Sequence, residues 1–153
     1  MQLSQVKAAV TGGVSGLGLA VVKHILANGG RAVMLDVNDD AGAAAAAETG
    51  ATYLRTDVTS EEGVVESLNS AREEMGGLNV AVNCAGILGA GRVLGREAPM
   101  PLSTFSTTIN VNLVGSFNVA KAAANLMQHN DDGDGGERGV IINTASVAAY
   151  EGQ

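Results

Sequence analysis

Short, mainly apolar runs alternate with segments of helical spacing along the whole chain, and that alternation limits the fold more than any other feature. The runs cover residues 6–11, 31–37, 52–55, 78–82 and 140–143. A strand covered on both faces needs no polar side. Its sequence is therefore continuously apolar, as in a parallel sheet beneath helices. Four helical segments connect the runs. Residues 16–28 place Leu17, Ala20, Val21, His24 and Ile25 on one stripe and stop at Asn28-Gly29-Gly30. An alanine-rich helix follows, with Asn38, Asp39 and Asp40 as caps and Gly50 as its end. Thr59 and Glu62 have capping-box spacing ahead of Val64, Val65, Leu68, Ala71 and Met75, and Gly76-Gly77 stops that helix. From Ser103, an expected N-cap, helical spacing runs to about residue 129, with Ile109, Leu113, Phe117, Ala120, Ala124 and Met127 on one face.

This β-α repetition predicts an α/β fold, a Rossmann-like doubly wound parallel sheet. Right-handed crossovers favour the strand order 3-2-1-4-5. The 153 residues suit one domain. With only 3% aromatic residues, its core must be aliphatic. Ligands in such sheets bind at the carboxyl ends of the strands, near the switch between strands one and four. Ser15, Asp36, Asp57, Asn83 and Ser146 all fall at such ends.

The first of these ends is Thr11-Gly12-Gly13-Val14-Ser15-Gly16-Leu17-Gly18. Glycines let the chain turn sharply and let a ligand approach the main chain. The free N–H groups of the next helix, with the positive end of its dipole behind them, suit a phosphate. A glycine cluster also marks ordinary turns. Here the helix that follows, and a second strand ending in an acid, supply the context a nucleotide loop requires. Asp36 lies roughly 20 residues beyond, where a carboxylate accepts from a ribose 2′-hydroxyl and repels a 2′-phosphate. The glycine loop carries no Lys or Arg, so NAD is favoured over NADP. Capping the next helix is the plainer use of Asp36. Asp57 and Val58 follow strand three. The carboxylate can accept from an exocyclic amine as on adenine, and the backbone N–H can donate to a ring nitrogen; a turn-forming role is the alternative.

Asn83-Cys84-Ala85-Gly86 ends strand four, and its small residues let the backbone pass beneath a ligand. Cys84, the only cysteine, has no base near it in sequence and fits a small hydrophobe in a reducing, cytoplasmic setting. Asn112 stands mid-helix, where asparagine is unfavourable unless its side chain is used. Ser146 follows strand five and could orient a carbonyl or alcohol. His24 and His129 fall in helices on the faces of the sheet, so no hydrolase triad is expected. No Cys/His cluster suggests a metal. The net charge of −7 argues against nucleic acid as a partner. No run is long enough to span a membrane, and the first strand starts too close to Met1 for a targeting peptide. The connection at 87–101 is long for a compact domain, which is usual where loops serve function.

Together these residues resemble the short-chain dehydrogenase/reductase family. Thr11-Gly12-x-x-x-Gly16-x-Gly18 resembles its cofactor loop. Asn83-Cys84-Ala85-Gly86 is similar to its Asn-Asn-Ala-Gly motif, with Cys in place of the second Asn. Asn112 and Ser146 stand where its helix asparagine and catalytic serine stand. The tail from Gly139 onward and the Asp-rich loop before it resemble the type II 3-hydroxyacyl-CoA dehydrogenases, which also act on some hydroxysteroids. The resemblance implies an NAD-dependent oxidoreductase that interconverts a secondary alcohol and a ketone, on a small-molecule substrate of acyl-CoA or hydroxysteroid type. It implies Ser15 and Leu17 at the pyrophosphate, Asp36 at the adenosine ribose, Asp57 and Val58 at the adenine, and Cys84 against the cofactor through its backbone. Ser146 positions the substrate oxygen and Asn112 holds a relay water. The full-length form is implied to be a homotetramer.

One departure is large. The family's acid/base tyrosine, with lysine four residues on, has no counterpart: Tyr53 and Tyr150 are the only tyrosines, and neither precedes a lysine at that spacing. The expectation is an amino-terminal dinucleotide-binding domain over 1–153, truncated after strand five and inactive alone. A non-catalytic nucleotide-binding form that regulates or pairs with a full-length partner is the alternative. It would leave residues 140–143 as an apolar edge prone to pairing.

Overall fold

The structure, a computed structural model, describes residues 1–89, 91–133 and 135–151. Ala90 of the long connection, Asp134 of the acidic loop, and Gly152 and Gln153 of the tail lie outside the described residues. Five parallel strands form one sheet: β1 (Lys7–Thr11), β2 (Arg31–Asp36), β3 (Thr52–Arg55), β4 (Val80–Asn83) and β5 (Val140–Asn143). Their order is β3-β2-β1-β4-β5, as the crossover rule predicts. β1 is central, with Ala9 opposite Val33 on one side and Ala81 on the other.

Alternate residues of each strand enter two separate cores. Ala9, Val33, Leu35 and Ala81 face helices α3 (Glu61–Met75) and α5 (Ser116–Met127). Ala8, Val10, Ala32, Met34 and Val82 face α1 (Gly16–Ala27) and α2 (Asp39–Thr49). That double burial explains why β1, β2 and β4 show no polar alternation. On the second face the helices stop short of β5, where Val140 and Ile142 are 39% and 50% exposed. With Leu17, Ala20, Val21 and Val82 they line an apolar groove of about 500 Å³.

Several local expectations need correction. The N-cap of α3 is Ser60, whose hydroxyl accepts from the Gly63 N–H at 3.2 Å. Thr59 is instead bound by the Asp57 carboxylate, which takes both its N–H and its hydroxyl. The two possible caps are adjacent, and the Asp57 turn decides between them. Within α3, Ser67 is buried while Val65 is 43% exposed. Helix α4 (Leu102–Ile109) starts directly after Pro101 without a side-chain cap, so Ser103 lies inside it. In α1 the buried stripe is Gly18, Val22 and Ile25; Leu17 is 70% exposed and His24 is exposed.

The largest correction concerns the helical run from Leu102 to Met127. It passes through a π-helical segment, Asn110–Gly115, before becoming α5. A π turn takes in an extra residue, which rotates everything beyond it by roughly 100° relative to a 3.6-residue period. The buried face is therefore Gly115, Asn118, Val119, Ala122, Ala123 and Met127. Leu113 and Phe117, expected inside, are 62% and 66% exposed. Among the described residues no helix is long and apolar enough to cross a membrane.

Candidate functional site

β1 delivers Thr11 to the sheet's carboxyl edge, 1% exposed. Its hydroxyl accepts from the N–H groups of Cys84 and Ala85, at 3.2 and 3.1 Å, and so ties the chain leaving β4 to the glycine loop. Gly12 makes that approach possible. It has φ +62°, and a Cβ there would lie 2.9 Å from the backbone of Cys84 and Ala85. Gly16 also has positive φ, but a Cβ there would meet nothing within 4 Å, because the loop opens onto a cavity.

That cavity measures about 430 Å³ and runs along the strand ends. Gly12, Ser15, Gly16, Leu17 and Gly18 form its floor at α1. Asp36, Asp57 and Val58 line it on the β2–β3 side, and Cys84, Ala85 and Gly86 on the β4 side. The structure thus brings together eleven of the residues singled out from sequence. Leu35, Val37, Thr56, Ile87 and Val111 complete the wall, and the sequence reading missed them. Those at strand ends were findable by position. Val111 was not, because the phase of its helix was misjudged.

The helix N-termini differ in a telling way. At α2 the Asn38 side chain accepts from the Ala41 N–H, and at α3 Ser60 accepts from Gly63. At α1 the N-cap is Ser15, and its hydroxyl makes no cap bond. The first-turn N–H groups that open on the cavity thus keep their donors and the positive end of the dipole for a ligand. Asp36 does not cap α2. Its Oδ1 accepts from the Asn38 N–H at 3.1 Å, while Asn38 does the capping. Asp57 does form a turn, with Oδ1 accepting from the Thr59 N–H and hydroxyl at 2.9 and 2.7 Å. Behind Asp36, the Tyr53 hydroxyl lies 2.9 Å from Asp39 Oδ1 and 3.1 Å from the Asp36 carbonyl. Burial, and then the hydrogen bond to Asp39, push the Tyr53 phenol up to about 12.

Three expected residues do not line the cavity. Asn83 is 3% exposed and lies within the fold. Its Nδ2 donates to Asn143 Oδ1 at 2.8 Å and to the Ser116 carbonyl at 3.2 Å, locking β4 to β5 and to α5. Asn112 turns both ends of its amide to Ile87, accepting from its N–H and donating to its carbonyl, each at 2.9 Å. Ser146 is exposed beyond β5, and its hydroxyl accepts from the Ala148 N–H at 3.2 Å, at the start of α6 (Ala148–Glu151). Among the described residues no cluster of His, Cys, Asp or Glu could hold a metal ion.

Residues 6–153 match the short chain dehydrogenase family. The bovine 3-hydroxyacyl-CoA dehydrogenase type-2 is 47% identical over 150 residues, covering 95% of this chain and 58% of that protein. The human protein of the same name is 45% identical with the same coverage. The crystal structure of 3-hydroxyacyl-CoA dehydrogenase type-2 from Mycobacterium avium superposes with a TM-score of 0.87 at 37% identity, over 95% of this chain and 59% of that one. The chain thus spans a little under three-fifths of the length of these relatives. With a family match over nearly every residue and a closely superposable crystal structure, the chain belongs to the short-chain dehydrogenases.

Proposed function

We propose that this chain carries the nucleotide-binding part of an NAD-dependent oxidoreductase that interconverts a secondary alcohol and a ketone, with 3-hydroxyacyl-CoA and 3-ketoacyl-CoA as the pair. One observation carries the reading: the N-terminus of α1, which unlike those of α2 and α3 has no side-chain cap, opens on a cavity that also holds Asp36, Asp57 and Val58. The glycine floor leaves space at Gly16 where a Cβ would point, which fits a pyrophosphate against bare main chain. In this reading Gly12, Ser15, Gly16, Leu17 and Gly18 hold the pyrophosphate, Asp36 the adenosine ribose, and Asp57 with Val58 the adenine. Cys84, Ala85 and Gly86 pass beneath the remainder, with Asn83 fixing that strand end from behind. The nicotinamide, when bound, supplies the hydride acceptor. Ser146 orients the substrate oxygen, and Asn112 holds a relay water with whatever acceptor capacity Ile87 leaves it.

The Tyr-x-x-x-Lys pair that would move the proton is not in the sequence. Acid–base groups of that kind contribute roughly 10²–10⁴-fold. The 153-residue chain is therefore proposed to bind NAD without turnover. The exposed apolar face at Phe105, Leu113 and Phe117 supports a homotetrameric complete enzyme, and the single cysteine supports a cytoplasmic setting. A non-catalytic form that pairs with a full-length partner is the second reading, and the open groove beside β5 favours it.

Calorimetric titration of the purified chain with NAD⁺ and NADP⁺ tests the reading. Saturable NAD⁺ binding at least tenfold tighter than NADP⁺ is expected. Failure to bind either dinucleotide would overturn it.

A further inference from the structure

Asn118 is an anomaly in the core. It is 6% exposed on α5, beside the buried Val119, Ala122 and Ala123, where an aliphatic side chain of its size would pack. Its Nδ2 donates to the Val58 carbonyl at 3.0 Å. Its Oδ1 is buried without a hydrogen-bond partner among the described residues. A half-satisfied buried amide disfavours folding, so its retention needs a compensating use.

That use lies at Val58. In the turn after β3 the Asp57 carboxylate binds Thr59 and the Asp57 carbonyl accepts from the Ser60 N–H, while the Val58 side chain, 7% exposed, packs into the core. Two contacts from one turn of helix fix its Val58 corner. Asn118 holds the Val58 carbonyl, and Gly115 lies so close that a Cβ there would sit 2.6 Å from Val58 Cγ2. Lys121 pairs with Glu61 one turn further on, but at the exposed surface, where water screens it. The same helical run holds the opposite wall of the cavity, through Asn112 on Ile87 and the Ser116 carbonyl on Asn83. One helical run thus touches both walls.

We propose that Asn118 is a positioning residue for base recognition: by fixing Val58 it sets the Asp57–Val58 turn against the base of the bound nucleotide and gives the site its preference for adenine. The inference rests on the nucleotide reading above. Adenine offers an amine to the Asp57 carboxylate and an acceptor nitrogen to the Val58 N–H, which donates to no protein acceptor among the described residues. Hypoxanthine presents a carbonyl and an N–H at the same two places, so it is mismatched at both.

The test compares NAD⁺ with its hypoxanthine analogue by calorimetry on the full 153-residue chain, as wild type, Asn118→Leu and Gly115→Ala. Wild type is expected to prefer NAD⁺ by about tenfold, the value of one well-placed hydrogen bond to a charged group. Asn118→Leu keeps the bulk, frees the turn, and brings the ratio to within about twofold of one by weakening NAD⁺ alone. Gly115→Ala pushes Val58 from the same side without removing a donor and lowers the ratio likewise. A folded Asn118→Leu that keeps the tenfold preference overturns the inference, and so does equal weakening of both ligands, the mark of a merely structural role. If neither variant shows a thermal transition, the tether is a folding requirement and the inference fails. If wild-type chain binds neither ligand, the nucleotide reading falls and this inference with it. Binding without a preference sinks the inference and leaves that reading standing.

Discussion

The two ends of the sheet's carboxyl edge differ sharply. At the β1–β3 end three polar groups are held from within the fold: Thr11 is tied to Cys84 and Ala85, Asp36 is backed by Tyr53, and the Asp57 turn is held by Asn118. At the β5 end Ser146 is exposed, bonded only to the backbone two residues on, and the strand beneath it is largely uncovered. Under the proposed function, the contrast separates binding a nucleotide from doing chemistry on it. The first needs only loops laid on buried strands. The second, in that proposal, needs a proton-transfer pair, and no Tyr-x-x-x-Lys stands in the sequence.

The largest effect tests that separation directly. Purified chain mixed with NAD⁺ and a 3-hydroxyacyl-CoA is expected to give no NADH absorbance above the enzyme-free rate, and a measurable rate would erase the contrast between the two ends. Next, Gly12→Val puts a branched side chain at φ +62° and against the Cys84–Ala85 backbone. It should cost about 2–4 kcal/mol of stability in denaturant melts and abolish NAD⁺ binding. An unchanged midpoint would show that the two strand ends are not locked together. Smaller is Asp36→Ala, which should move the NAD⁺/NADP⁺ preference by about tenfold toward NADP⁺. No movement would reduce Asp36 to a turn former for Asn38. Ser146→Ala should leave NAD⁺ affinity within about twofold, because its hydroxyl belongs to the other end.

The smallest effect is a titration. The folded state favours the protonated Tyr53 phenol, raised to about 12 from the ordinary tyrosine value near 10. Its contribution to stability is therefore complete below pH 10 and is lost as pH rises toward 12. Ultraviolet titration of a Tyr150→Phe variant should show that late midpoint. A midpoint near 10 would mean that Asp36 is not backed by a held phenol.

The proposed nucleotide end is the legible part of the sequence because its signals are local. The glycine loop, the apolar strands and the acid after β2 each sit within a few residues of the group they serve. A π turn is invisible to a 3.6-residue count, so that count places Leu113 and Phe117 in the core and leaves Asn118 out of it. Asn83 was legible as a position but not as a role. Its partners Asn143 and Ser116 lie 60 and 33 residues away, and only the register of β4 on β5 brings them to it.

The central place of β1 has a consequence in time. Thr11 pairs with Leu35 on one side and with Asn83 on the other, and the second partner is made 72 residues later. At synthesis rates of about 5–20 residues per second, the growing chain carries this mainly apolar strand with at least one edge unpaired for roughly 4–14 s. Through that interval one edge of β1 is open to any extended segment nearby. Yield in the cell should therefore depend on what shields β1 until β4 emerges, even though the finished molecule buries that strand more deeply than almost any other part.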